Sequence, residues 1–255
     1  MNKRLALLVC FLTVLGIRIQ AQEQYAYGFY LGANAYNMNI SNSLYYDDSE
    51  PFTIYDNETN AVKEVKYLEI KDAKVWANLG WVVGGFFEYR FNDYLGVQFD
   101  MMFNQTGYFI KGNVDQINIT DTTNYTYKGT LKATNMNIGV TAKVHLINDH
   151  LTLDAGILPS ICYKLTKESE RGIDKSTVNY ENSEYNAFGC SALFGFTVFF
   201  YDVMYAGLHY NLGFTNLLKT KTPYYNSETD AISYNYANTK STSSSLQLTI
   251  GVRIK

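Results

Sequence analysis

Seven ionisable side chains could give this chain a chemistry: Glu88, Arg90, Asp100, Lys143, Asp154, His209 and Arg253. Paired with Asp100 or Glu88, His209 would form an acid–base couple. The same residues can instead satisfy one another in a closed interior, where a buried charge must find a partner. Their charges nearly balance, which favours that second reading. No Gly-x-Ser-x-Gly nucleophile elbow accompanies them, and the chain has only 3 His. It is expected to be non-enzymatic, with no cofactor.

No metal site is expected either. Asp47, Asp48 and Glu50 cluster, but without the glycine and closing glutamate of a calcium loop. His145 and His150 flank one turn with no further ligands. Cys162 and Cys190 bracket a polar stretch, and their strand faces put them on opposite sides of a wall, which favours free thiols.

All seven charged residues lie on one face of alternating segments. In a strand, neighbouring side chains point to opposite faces. Residues 76–91 put Ala77, Leu79, Trp81, Val83, Gly85, Phe87, Tyr89 and Phe91 on one face, and Asn78, Gly80, Val82, Gly84, Phe86, Glu88 and Arg90 on the other. After an Asn92-Asp93 turn, Leu95 to Phe103 alternate with Gly96, Gln98, Asp100 and Met102. The pattern recurs over 135–146, 151–162, 206–215 and 246–254, and opens the chain at 27–35. Residues 186–201 are apolar on both sides, so their facing is ambiguous.

That makes eight segments. The short connections lie near 92–93, 148–150 and 202–203; the long, polar ones lie near 38–74, 108–129, 167–184 and 218–240. Short turns alternating with long loops, and an uncharged face on each strand, predict an all-β, eight-stranded antiparallel up-and-down transmembrane barrel with long outer loops. A soluble eight-stranded barrel would carry Lys and Glu on its outer face; the 79–91 face carries neither. Tyr25, Tyr27, Trp81, Tyr89, Phe91, Tyr94, Tyr201 and Tyr205 are expected to supply an interfacial girdle.

Composition agrees. Charged residues are 18%, against roughly 25% in soluble domains, and 23 Tyr with 15 Phe exclude disorder. A formal charge of −3 offers no footprint for nucleic acid. Residues 1–21 read as a cleaved secretory signal, with Lys3 and Arg4 before the apolar run 5–17. Its removal leaves 21 − 3 = 18 Lys and Arg against 24 Asp and Glu, a net charge of −6, on a barrel domain of residues 22–255.

The chain resembles the PorT-like outer-membrane beta-barrel proteins of Bacteroidetes. The resemblance rests on Gly80, Gly84 and Gly85, on residues 92–104 and 135–146, and above all on Tyr210, Asn211, Gly213, Thr215 and Asn216. His209 stands where that family tends to carry Arg, and the chain ends in Ile254-Lys255 rather than an aromatic. The resemblance implies an integral protein of the cell outer membrane and a role in the envelope, without one shared activity. The expected role is a membrane anchor displaying its loops for binding, or for assembly with an envelope or secretion complex. The alternatives are a narrow porin-like channel for small solutes and a lipid-acting barrel enzyme. Expected partners are outer-membrane lipid, the barrel-assembly machinery during insertion, and an envelope or secretion protein.

Overall fold

The computed structural model describes residues 24–40, 46–55, 62–117, 122–146, 150–171, 174–181, 184–200, 203–229, 231–238 and 241–254. The signal segment 1–21, most of the 148–150 turn, Tyr201, Asp202 and Lys255 lie outside them.

Among the described residues there are twelve strands: β1 (Gln24–Ile40), β2 (Tyr46–Tyr55), β3 (Val62–Arg90), β4 (Leu95–Ile117), β5 (Thr122–Leu146), β6 (Leu151–Arg171), β7 (Asp174–Asn179), β8 (Phe188–Phe200), β9 (Met204–Gly213), β10 (Lys219–Asn226), β11 (Ala231–Asn238) and β12 (Ser241–Ile254). Eight of them close a ring in the order β1-β12-β9-β8-β6-β5-β4-β3, and β3 returns to β1. Every neighbouring pair is antiparallel. The architecture is the expected eight-stranded up-and-down barrel. The other four strands lie within the long connections: β2 extends β3, β7 extends β6, and β10–β11 form a separate hairpin.

The alternation dictates the two faces. Leu31, Leu79, Phe99, Met101, Ile138, Ile157, Phe194, Leu248 and Ile250 point outward and are exposed, while Glu88, Asp100, Lys143, Asp154 and Arg253 point inward and are buried. This inversion of a soluble protein suits a wall with hydrocarbon outside. The ambiguous strand resolves with Leu193, Thr197 and Phe199 inward and Phe188, Phe194, Phe196 and Phe200 outward. Cys190 therefore belongs to the outer face while Cys162 is buried inside, and both thiols are free.

Local chemistry sets the short turn at 92–95. Asn92 Oδ1 accepts the backbone N–H groups of Tyr94 and Leu95, both at 2.9 Å, an Asx turn that starts β4 without a longer loop. On the same rim Tyr25, Phe87, Tyr89 and Phe91 pack with ring centroids 5.2–5.7 Å apart, forming the inner girdle. Tyr205, expected in that girdle, is instead buried in the lumen at 7% exposure. It shares the face of Gly207 and His209, and the lumen offers its ring Phe86 and Phe199.

Two irregularities re-aim β3. Between Ala77 and Val82, β3 gains a residue over β4, so Trp76 turns outward; a second shift lies between Lys71 and Lys74, where Asp72 adopts φ 53°. Beyond the membrane band, β3 to β6 continue as a tall wall. β5 alone has 25 residues, against the roughly 9–11 that cross a bilayer.

Closure of the ring depends on Gly28, between β12 and β3. A Cβ there would meet the backbone oxygen of Val252 and approach Phe86 Cε1 to 2.6 Å. A backbone atom cannot rotate aside, so Gly28→Val is expected to prevent β1 from seating. Refolding into detergent should then yield no heat-modifiable species, whereas wild-type protein migrates faster unboiled. A variant with the wild-type mobility shift would show that the seam tolerates a branched side chain.

Candidate functional site

The inward faces of β3 to β6, β9 and β12 bring the seven charged residues into one lumen. They form two clusters. Glu88 and Arg90, two residues apart on β3, point the same way, and Arg90 Nε donates to Glu88 Oε1 at 2.9 Å. His145 Nε2 lies 3.1 Å from the same oxygen, and Glu88 is fully buried. In the second cluster Asp154 receives Thr152 Oγ1 at 2.9 Å and Thr197 Oγ1 at 2.6 Å. His209 Nε2 is 2.9 Å from Asp154 Oδ2, and Lys143 Nζ is 3.8 Å from Oδ1. Asp100 accepts Gln98 Nε2 at 2.7 Å and Tyr30 Oη at 3.4 Å. Arg253 lays its guanidinium 3.9 Å over the Phe199 ring, in cation–π contact.

His209 thus meets Asp154 rather than Asp100 or Glu88. Beside the charges stands an apolar layer of Tyr30, Val82, Phe86, Met102, Leu158, Leu193, Phe199 and Tyr205. Small eight-stranded barrels fill their interiors with side chains. Two cavities of about 60 and 30 Å³ remain, room for a few water molecules at roughly 15 Å³ each. The larger lies toward the outer mouth and is lined by amides and hydroxyls, including Asn104, Asn135, Asn137 and Asn211.

The outer mouth is capped. Tyr185 and Leu218 form an isolated antiparallel bridge beyond the outer ends of β8 and β9, and both side chains are buried against the inside of the wall. Ser241 Oγ accepts Leu218 N–H at 2.9 Å, and Asn216 Oδ1 accepts Ser241 N–H at 3.1 Å. The family-like run accounts for much of this. Thr215 Oγ1 accepts Cys190 N–H at 3.0 Å, Asn211 Nδ2 donates to Ser245 and Gln247, and Gly213 lies where a Cβ would approach Ser243 Oγ to 2.8 Å. Tyr210 points outward.

Above the band is a second hydrophobic core, absent from the sequence reading. Ile70, Tyr108, Ile110, Val114, Tyr127, Leu131, Cys162 and Leu165 line the inside of the tall wall, and Tyr185 and Leu218 of the cap pack among them. Its signal was present in the alternation of 108–114 and 125–133, but polar outward residues made these stretches read as loop. Among the described residues no group of three His, Cys, Asp or Glu side chains could hold a metal ion.

Comparison with known proteins agrees with this architecture. Residues 20–219 match the model of the outer membrane protein beta-barrel domain. Among solved structures, the attachment invasion locus protein of Yersinia pestis, in complex with the heparin analogue sucrose octasulfate, is 9% identical with a TM-score of 0.42, covering 91% of this chain and 99% of that one. OprG of Pseudomonas aeruginosa is 12% identical with a TM-score of 0.39, covering 93% and 99%. The outer membrane protease OmpT of Escherichia coli is 10% identical with a TM-score of 0.39, covering 93% and 98%. No curated protein matches the chain.

Proposed function

The chain belongs to the outer membrane protein beta-barrel domain family, and on that premise we propose that it is a non-enzymatic membrane anchor presenting a folded outer platform to an envelope or secretion protein. The observation that carries this reading is the second core, of Ile70, Tyr108, Val114, Tyr127, Leu131 and Leu165, capped by Tyr185 and Leu218. A membrane span alone needs no such core. Burying aromatic and aliphatic side chains above the membrane stiffens the outer strands, and a stiff surface loses less entropy on binding than a mobile loop.

The packed lumen speaks against a solute channel, because among the described residues the aromatic layer and the charge clusters fill it around cavities of about 60 and 30 Å³. The Asp154–His209 pair is held by Thr197 inside the wall, in the manner of a structural ion pair. The same proposal includes kinship with PorT-like barrels, export by a signal cleaved after residue 21, and insertion by the barrel-assembly machinery.

The β10–β11 hairpin supplies the test. It forms its own two-stranded sheet and leans on β3, so it can be removed without cutting the barrel ladder. Replacing residues 219–238 with a short Gly-Ser turn is expected to leave the mobility shift of the folded barrel intact. Protein partners crosslinked in cells from the outer wall should be lost. Unchanged crosslinks with the hairpin gone, or discrete conductance from wild-type protein in planar bilayers, would overturn the reading.

A further inference from the structure

The outer surface of the tall wall is cationic, on a chain whose formal charge is −3. The register sets Lys74 of β3 beside Lys111 of β4, and Lys111 beside Lys128 of β5. Like charges placed directly opposite on neighbouring strands repel, so three in a row carry a cost that an anion would offset. Lys71, Lys132 and Lys164 extend the patch on the same face. Its acids are Glu170, 3.5 Å from Lys128, and Glu168, 2.7 Å from Lys132, with Asp72 in the β3 bulge. Lysines therefore outnumber acids among the described residues of this face.

Height decides what the patch faces. Trp76 pairs with Phe109 at the outer edge of the apolar band, and Trp76 is 57% exposed. Exposed outward aromatics at such an edge mark the boundary between hydrocarbon and headgroups. Lys74 and Lys111 each lie two residues farther out than these aromatics, roughly 7 Å along the strand. On the two strands that follow β3 round the ring, the paired outer positions Asn37 of β1 and Ser244 of β12 carry no charge. Among the described residues these cations cluster on the wall of β3 to β6, at headgroup height.

We propose that Lys74, Lys111 and Lys128 form a binding site for the phosphate groups of an outer-leaflet glycolipid, whose acyl chains lie against the apolar band below. The ligand is a lipid rather than a soluble anion because Trp76 and Phe109 put the lysine row just above the hydrocarbon edge.

The full-length protein, refolded in a neutral detergent, is titrated with bisphosphorylated lipid A and with its dephosphorylated form, and bound lipid is counted by native mass spectrometry. Wild-type protein is expected to retain the bisphosphorylated lipid and release the other. Each lysine near an anionic headgroup is worth about fivefold in affinity. The triple variant Lys74→Gln, Lys111→Gln, Lys128→Gln should then bind on the order of 100-fold more weakly, with its mobility shift intact. These positions are exposed, so a variant that fails to fold is replaced by the single Lys111→Gln, expected to lose about fivefold. Equal binding by variant and wild type, or of the two lipids, would overturn the proposal. So would displacement by inorganic phosphate or dextran sulfate at the lipid's own concentration, which would make the site one for soluble anions.

Discussion

Glu88→Ala is expected to lower the unfolding free energy of the barrel by about 3–5 kcal/mol, the cost of removing one partner from a buried ion pair. Glu88 is fully buried, and one of its oxygens accepts Arg90 Nε and lies 3.1 Å from His145 Nε2. Truncation leaves the Arg90 guanidinium, itself only 3% exposed, without the carboxylate that neutralises it. Glu88→Gln keeps the shape and one acceptor, so its loss should be smaller. Urea unfolding of refolded protein in lipid vesicles, followed by tryptophan fluorescence, measures both. A His145→Ala double-mutant cycle separates the imidazole contact from the guanidinium contact. A loss below about 1 kcal/mol for Glu88→Ala would mean that water reaches the cluster, and the lumen would not be the packed interior described here.

That cluster was half legible in the sequence. Period-two alternation put Glu88 and Arg90 on one face and Asp100, Lys143, Asp154, His209 and Arg253 on the matching faces of other strands. Alternation reports which way a side chain points, but not which strand stands opposite. His209 pairs with Asp154 because β9 is separated from β6 only by β8, and that depends on ring order and stagger. Neither Glu88 nor Asp100 could be ranked against Asp154 before the ring was closed. His145, on the lumen face of β5, was weighed only as a metal ligand and could not be matched to Glu88 for the same reason: its carboxylate comes from β3, two strands away in the ring.

The outer half was less legible, and the cause is physical. Within the membrane the outward face is uncharged, so alternation has high contrast. Above the band the same strands meet water, and Lys and Thr take the outward positions, as at 126–134. Inward residues such as Tyr127 and Leu131 then stand among polar neighbours and read as loop. Bulges compound this, because each one exchanges inside and outside for everything beyond it. The shift between Ala77 and Val82 does so for Trp76 and Lys74, which is why the lysine row appears only once the register is known.

Phe199→Ala is expected to cost about 3–5 kcal/mol, the range for deleting a buried aromatic from a packed core. The ring is 4% exposed and touches groups of two kinds. Tyr205 packs beside it at 5.7 Å, while Arg253 lies over its face at 3.9 Å and Lys143 Nζ at 5.8 Å. It therefore joins the aromatic layer to the charged layer, and its loss leaves a cavity under a guanidinium. Phe199→Leu refills part of that volume but restores no ring face, so it should recover the packing share of the loss and not the cation–π share. A cycle of Phe199→Leu with Arg253→Met isolates the latter, expected at about 1–2 kcal/mol for a desolvated pair. The same measurements bear on function. If Phe199→Ala is as stable as wild type, its ring borders water rather than protein, the lumen is open at that level, and the channel reading replaces the anchor. If it is destabilised as expected without gaining conductance, the interior serves the fold alone, and binding must be sought on the outer wall.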